Sequence, residues 1–216
     1  NYIQLISKPK NNDLIRINEN RMLLTKKDFK KIIKSVEKGT GTDRSKAYQN
    51  KMKNRDLSII LLLMTTGMRC TALTEINIED LDLENGYLYV VDKGDKRHTY
   101  NLSESTINSL INWLEDREEW NSSSNALFIS NNTNKRMTSS AISDLVEKYC
   151  EDALGYHVSP HKLRAGFCSI LYKETGNAEF VRRAVGHSNI ATTQRYIVTE
   201  NDERKEASNI ISDFLF

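Results

Sequence analysis

Several short stretches of this chain combine a glycine turn or helix start with cationic or titratable side chains. Ser159-Pro160-His161-Lys162-Leu163-Arg164 reads as a helix opening, with Ser159 as N-cap and Pro160 at the first helical position. At about 100° per residue, His161 and Arg164 fall about 60° apart, on a face that does not point straight into the core. An imidazole and a guanidinium at a helix N-terminus can hold a phosphate, because the backbone N–H groups there add to the positive field. Thr66-Gly67-Met68-Arg69 sets an arginine just after the break that ends the most apolar stretch of the chain. Lys93 lies in a polar turn, Lys93-Gly94-Asp95-Lys96. Gly186-His187 closes another helical pattern, and Tyr196 follows Thr192-Thr193-Gln194-Arg195. Singly, each also fits a plain structural role as a capped surface helix, a helix-end or hairpin-tip charge, or a half-buried tyrosine.

The elements that must position these residues follow from periodicity. Thr25 with Asp28 three residues on predicts a capped helix whose stripe is Phe29, Ile32, Ile33 and Val36. Gly39-Thr40-Gly41-Thr42 interrupts it. A long helix is expected from Ala47 to Thr66; its Ile59–Met64 run is apolar all round, so it belongs at the centre of the core, and Gly67 ends it. Beyond Leu81 the pattern becomes strand-like. Tyr87–Val91 and Thr99–Leu102 are strand candidates around the Lys93–Lys96 turn, and Asn85-Gly86 marks a second hairpin. Helices are then expected over Glu104–Arg117, Ser139–Leu154, Pro160–Thr175, Ala178–Val185, Thr192–Val198 and near Glu203–Leu215. The predicted fold class is α+β, mainly helical, with a small antiparallel three-strand sheet.

Length and composition bound the class. The 216 residues are 38% hydrophobic and 28% charged, which suits a globular chain large enough to bury a core without disulfide or metal staples. The longest apolar run, Ile59–Met64, is far short of the roughly 20 residues a membrane-spanning helix needs. Cys70, Cys150 and Cys168 lack paired-ligand spacing and read as small apolar residues, which agrees with a cytoplasmic setting. A net charge of +2 hides segregation: Lys26–Arg55 carries +8, Glu75–Glu119 carries −8 and Tyr156–Tyr196 carries +4. Two basic blocks could face a polyanion, although charge runs are also common on solvated helix faces.

Taken in order, Thr66-Gly67-Met68-Arg69, Lys93-Gly94-Asp95-Lys96, His161-Lys162-Leu163-Arg164, Gly186-His187-Ser188 and Thr192-Thr193-Gln194-Arg195-Tyr196 resemble the catalytic domain of tyrosine recombinases, the phage and transposon integrases. The resemblance in element order runs from Leu24 to the C-terminus. It implies that fold, and a site-specific recombinase that cuts and rejoins DNA through a 3′-phosphotyrosyl link to Tyr196. It assigns Arg69 and Arg164 to the non-bridging phosphate oxygens, His161 to proton removal, Lys93 to protonation of the leaving 5′ oxygen, and His187 to the phosphate. No cofactor and no metal are implied. The implied partners are double-stranded DNA attachment sites, further copies of the chain in a tetramer on DNA, and accessory DNA-bending proteins, in a bacterial or phage-encoded system without a membrane.

Some positions depart from the pattern. The family commonly has an acid where Ala72 stands, for which Glu75 is a possible substitute, and often a second histidine where Ala165 stands. His98 and His157 are expected in exposed loops. Residues 1–22 read as a linker from a missing N-terminal DNA-binding domain, and 23–199 as the catalytic domain. In residues 200–216, Ile210, Ile211, Phe214 and Leu215 form a helical stripe that either packs on its own domain or docks on a neighbouring subunit. Competing readings are a type IB topoisomerase-like nicking and closing activity, a DNA-binding module with decayed catalysis, and a helical scaffold.

Overall fold

The computed structural model describes residues 23–92 and 96–186, without the side chains at 92 and 96. Helix α1 (Lys26–Lys38) starts as expected. Thr25 Oγ1 accepts from the Asp28 N–H, and Asp28 Oδ2 accepts from the Thr25 N–H at 2.9 Å, which closes a capping box. Its buried Ile32 and Val36 face the core, and Ser35 Oγ donates to Asp152 Oδ2 at 2.7 Å.

The long helix expected from Ala47 to Thr66 is instead two, α2 (Asp43–Asn50) and α3 (Lys53–Thr66). The break at Lys51-Met52 carries no breaker residue and follows a side-chain bond from Gln49. Gln49 turns back onto Thr40: its Oε1 accepts from the Thr40 N–H and its Nε2 donates to the Thr40 carbonyl, both at 3.0 Å. Lys51 and Met52 then close the last turn with short-range bonds to Tyr48 and Gln49, and Met52 is buried. Glycine and proline are absent from Gln49–Met52, so periodicity could not see the break.

Helix α3 is central. Ile59 to Met64 are all buried, between α1, α5 (Glu104–Glu119) and α7 (Pro160–Thr175). A six-residue helix α4 (Cys70–Glu75), which the sequence did not signal, follows the Gly67 turn. The sheet has order β1 (Leu81–Asp82), β2 (Tyr87–Asp92), β3 (Lys96–Asn101), antiparallel throughout. Leu88 and Val90 are buried on one face, while Tyr87, Tyr89 and Val91 are exposed on the other. Opposite residues share a face, so Tyr100 and His98, the partners of Leu88 and Val90, also face inward. His98 is therefore a half-buried strand residue, correcting the expected exposed loop; β3 begins three residues earlier than its apolar pattern suggested.

The connection from α5 to α6 (Ser139–Leu154) is held by side chains reaching backbone carbonyls. Trp113 Nε1 donates to Leu127 O at 2.9 Å and Arg117 Nη2 to Ala126 O at 2.9 Å. Helix α8 (Ala178–Ala184) completes the described chain. The expected helices over 192–198 and 203–215 lie outside the described residues. No described helix is long and apolar enough to cross a membrane.

Packing across the Gly67 turn is tight. Its φ is +61°, and a Cβ there would lie 2.5 Å from Phe167 Cδ1 on α7. Gly67→Ala meets both left-handed strain and a clash, and is expected to cost about 2–4 kcal/mol. Urea unfolding checks this, and an unshifted midpoint would contradict it.

Candidate functional site

The turn carrying the first arginine is built by Thr66. Its hydroxyl donates to the Leu62 carbonyl at 2.6 Å and accepts from the Met68 N–H at 3.2 Å. Met68 is buried beneath, and Gly67 takes the left-handed conformation that reverses the chain. Arg69 is thereby set as the N-cap residue of α4, where it is exposed. Ala72 is buried against the core. Glu75 is exposed at the opposite end of α4 from Arg69.

Helix α7 opens as its sequence predicts. Ser159 accepts from the Lys162 N–H, and Pro160 is the first helical residue. His161 is exposed in the first turn. Arg164 is not on an open face, as the angular spacing suggested, but only 3% exposed. One guanidinium nitrogen, Nη1, donates to the Gly67 carbonyl; the other, Nη2, donates to the Val185 carbonyl at 2.9 Å. These partners of its guanidinium are backbone carbonyls of two turns, which counting apolar side chains cannot reveal.

Both carbonyls sit at helix C-termini, Gly67 after α3 and Val185 after α8. The negative ends of two helix dipoles therefore offset part of the cost of burying this cation. Arg164 also partly opposes the upward push that burial gives the Cys168 thiol, which is held at about 11. Cys150 is likewise buried, and Cys70 half-buried.

Arg164 thus joins three segments that are remote in sequence. Gly67 lies two residues before Arg69, and Val185 two residues before His187. Such a pin fixes the position of the guanidinium between the two turns. On α8, Glu179 binds Arg182 and Arg183 at 2.7–2.9 Å, and these hydrogen bonds hold its carboxyl well below the usual range. Two basic residues of the third charge block are therefore already paired.

Of the six candidate residues, Arg69, His161 and Arg164 are described. Lys93, His187 and Tyr196 lie outside the described residues. Sequence reasoning missed Thr66 as the builder of the turn, and the Gly67 and Val185 carbonyls as anchors; only the left-handed glycine that follows a helix hinted at the first. His157 is exposed before α7, as expected, with Nδ1 at 2.5 Å from Glu147 Oε1. Among the described residues no group of three His, Cys, Asp or Glu is placed to hold a metal.

The model of the phage integrase family matches residues 22–203. The chain belongs to that family. This integrase-family chain is 33% identical over 143 residues to the tyrosine recombinase XerC of Proteus mirabilis, covering 66% of the chain and 47% of the relative. It is also 33% identical over 169 residues to the tyrosine recombinase XerS of Streptococcus agalactiae serotype III (strain NEM316), covering 76% of the chain and 47% of the relative. The chain spans about half the length of the curated relatives it matches.

Solved structures place the fold in the same family. The XerA recombinase crystal structure aligns with a TM-score of 0.73 at 25% identity, over 88% of this chain and 64% of that one. The XerH site-specific recombinase, in a post-cleavage complex with palindromic difH substrate, also gives 0.73 at 25%, over 90% and 54%. The fold is therefore the helical tyrosine recombinase catalytic domain with its small three-strand sheet, as the five motifs implied.

Proposed function

We propose that this chain is the catalytic domain of a site-specific DNA recombinase that cuts and rejoins strands through a covalent link to Tyr196. The observation that carries the reading is the Arg164 guanidinium, held between the Gly67 turn that leads to Arg69 and the Val185 turn that leads to His187. Chemistry supplies the rest. Attack on a phosphodiester moves its charge from about −1 towards −2, so guanidiniums that grip the non-bridging oxygens bind the transition state more tightly than the ground state.

The Tyr196 oxygen forms a bond to phosphorus as the bond to the 5′ oxygen breaks. A phenol near pKa 10 is ionised about once in a thousand at neutral pH, a handicap of roughly 4 kcal/mol. His161 takes its proton during attack, and Lys93 gives one to the departing 5′ oxygen. His187 hydrogen-bonds the phosphate. Rejoining runs the same steps backwards, with the free 5′ hydroxyl attacking the 3′-phosphotyrosyl link, so no external energy source is consumed.

The domain division follows the same reading. Residues 23–199 are assigned to the catalytic domain, and 200–216 to a C-terminal segment that packs on its own domain or docks on a neighbouring subunit. Double-stranded DNA attachment sites are the substrate, bound by a tetramer of the chain with accessory DNA-bending proteins, in the cytoplasm. XerH bound to difH, and the Tn1549 transposon integrase in complex with transposon right-end DNA, support the DNA partner by likeness of fold.

The test is incubation with nicked attachment-site DNA that traps cleavage, in the presence of a chelator. A covalent adduct, lost in Tyr196→Phe, is the expected result. Its absence on DNA that the chain binds would favour a binding module, and relaxation without exchange between two sites would favour a nicking and closing enzyme.

A further inference from the structure

The Val185-Gly186 turn is gripped from two sides. On one side Arg164 Nη2 holds the Val185 carbonyl at 2.9 Å. On the other lies the imidazole of His98, from the middle of β3. Gly186 has φ +66°, and a Cβ built on it would lie 2.6 Å from His98 Cε1 and 3.1 Å from each ring nitrogen. The ring therefore lies against the bare α-carbon, in a seat that only glycine leaves open. The seat is set by register: His98 pairs with Val90, whose side chain is buried, and Tyr100, two residues on, has its ring 6.4 Å from that of His98. The sheet thus supports the turn with a flat side chain.

We propose that His98 is a positioning residue for Arg164. By fixing Gly186, it holds the Val185 carbonyl where it anchors the guanidinium, and so links the small sheet to the phosphate-binding arginine. It touches neither phosphate nor leaving group. The inference rests on the reading of Arg164 as the group that offsets charge building on phosphorus.

The experiment compares single-turnover cleavage by wild type, His98→Ala, His98→Phe and Arg164→Ala on two DNAs. One carries the natural scissile phosphate. In the other a methylphosphonate replaces it, which removes the negative charge that Arg164 is needed to offset. On natural DNA, His98→Ala is expected to cleave roughly tenfold more slowly at unchanged DNA affinity, since small misplacements of a reacting group carry penalties of this order or larger. His98→Phe, which keeps a flat ring over Gly186, retains most of the rate. On methylphosphonate DNA the deficits of both Arg164→Ala and His98→Ala shrink together. If Arg164→Ala gains on the neutral DNA and His98→Ala does not, His98 is only a packing residue and the inference is wrong. If Arg164→Ala itself gains nothing, the charge-offsetting reading of Arg164 fails, and the role given to His98 falls with it.

Discussion

Arg164→Ala is expected to slow single-turnover cleavage by roughly 10²–10³-fold while DNA affinity changes only a few-fold. On the proposed mechanism, affinity is spread over many backbone phosphates, whereas Arg164 acts at the one that reacts. The variant also leaves the Gly67 and Val185 carbonyls without the donor that holds them, so a lower unfolding midpoint accompanies the lost activity. Arg164→Lys separates the two effects. It keeps a buried charge, but a single ammonium lacks the planar fork that spans both turns, so the protein stays folded and the cleavage rate stays low. A rate that falls only in proportion to DNA affinity would reduce Arg164 to an ordinary backbone contact.

The second large effect is on stability, at the N-terminal end of α3. Asp56 on α3 is only 1% exposed and accepts from Arg55 Nη2 at 2.8 Å and from the Tyr149 hydroxyl at 2.8 Å. Arg55 also donates through Nη1 to Ile129 O at 3.0 Å, and its guanidinium lies 5.8 Å from the centre of the Trp120 ring. Burial first, and the Asp56 charge second, push the Tyr149 phenol well above its usual range, so it remains a proton donor to the carboxylate. Asp56→Ala strands a buried guanidinium and a buried hydroxyl, and is expected to cost about 3–5 kcal/mol. Equilibrium denaturation measures this, and a loss below about 1 kcal/mol would mean that water satisfies the stranded Arg55 and Tyr149 donors. The network ties α3 to α6 and to the 120–138 connection, so activity should follow the folded fraction and not fall ahead of it.

The framework was legible in the sequence wherever a local rule sufficed. The Thr25–Asp28 capping box, the all-round apolar Ile59–Met64 helix, the Ser159-Pro160 helix start and the strand candidate Tyr87–Val91 each depend on near neighbours, and each appears in the fold. Where distant partners decide, the sequence was silent or misleading. Gln49 binds Thr40 at the end of α2, where the expected single helix divides. His98 belongs to a strand because it pairs with Val90.

The site divides in the same way. Residue types and motif order pointed to Arg69, His161 and Arg164. The bonding of Arg164 to two backbone carbonyls could not be read from side-chain periodicity. The acid expected where Ala72 stands has no counterpart in the core there, because that position faces apolar neighbours and is only 5% exposed.

The most direct measurement is to identify the amino acid that carries the DNA. Trapped on nicked attachment-site DNA in the presence of a chelator, then digested with protease and nuclease, the chain should yield one phosphonucleotide-bearing peptide, modified at Tyr196 and linked to a 3′ phosphate. A modification on any other residue, or a link through a 5′ phosphate, would contradict the account.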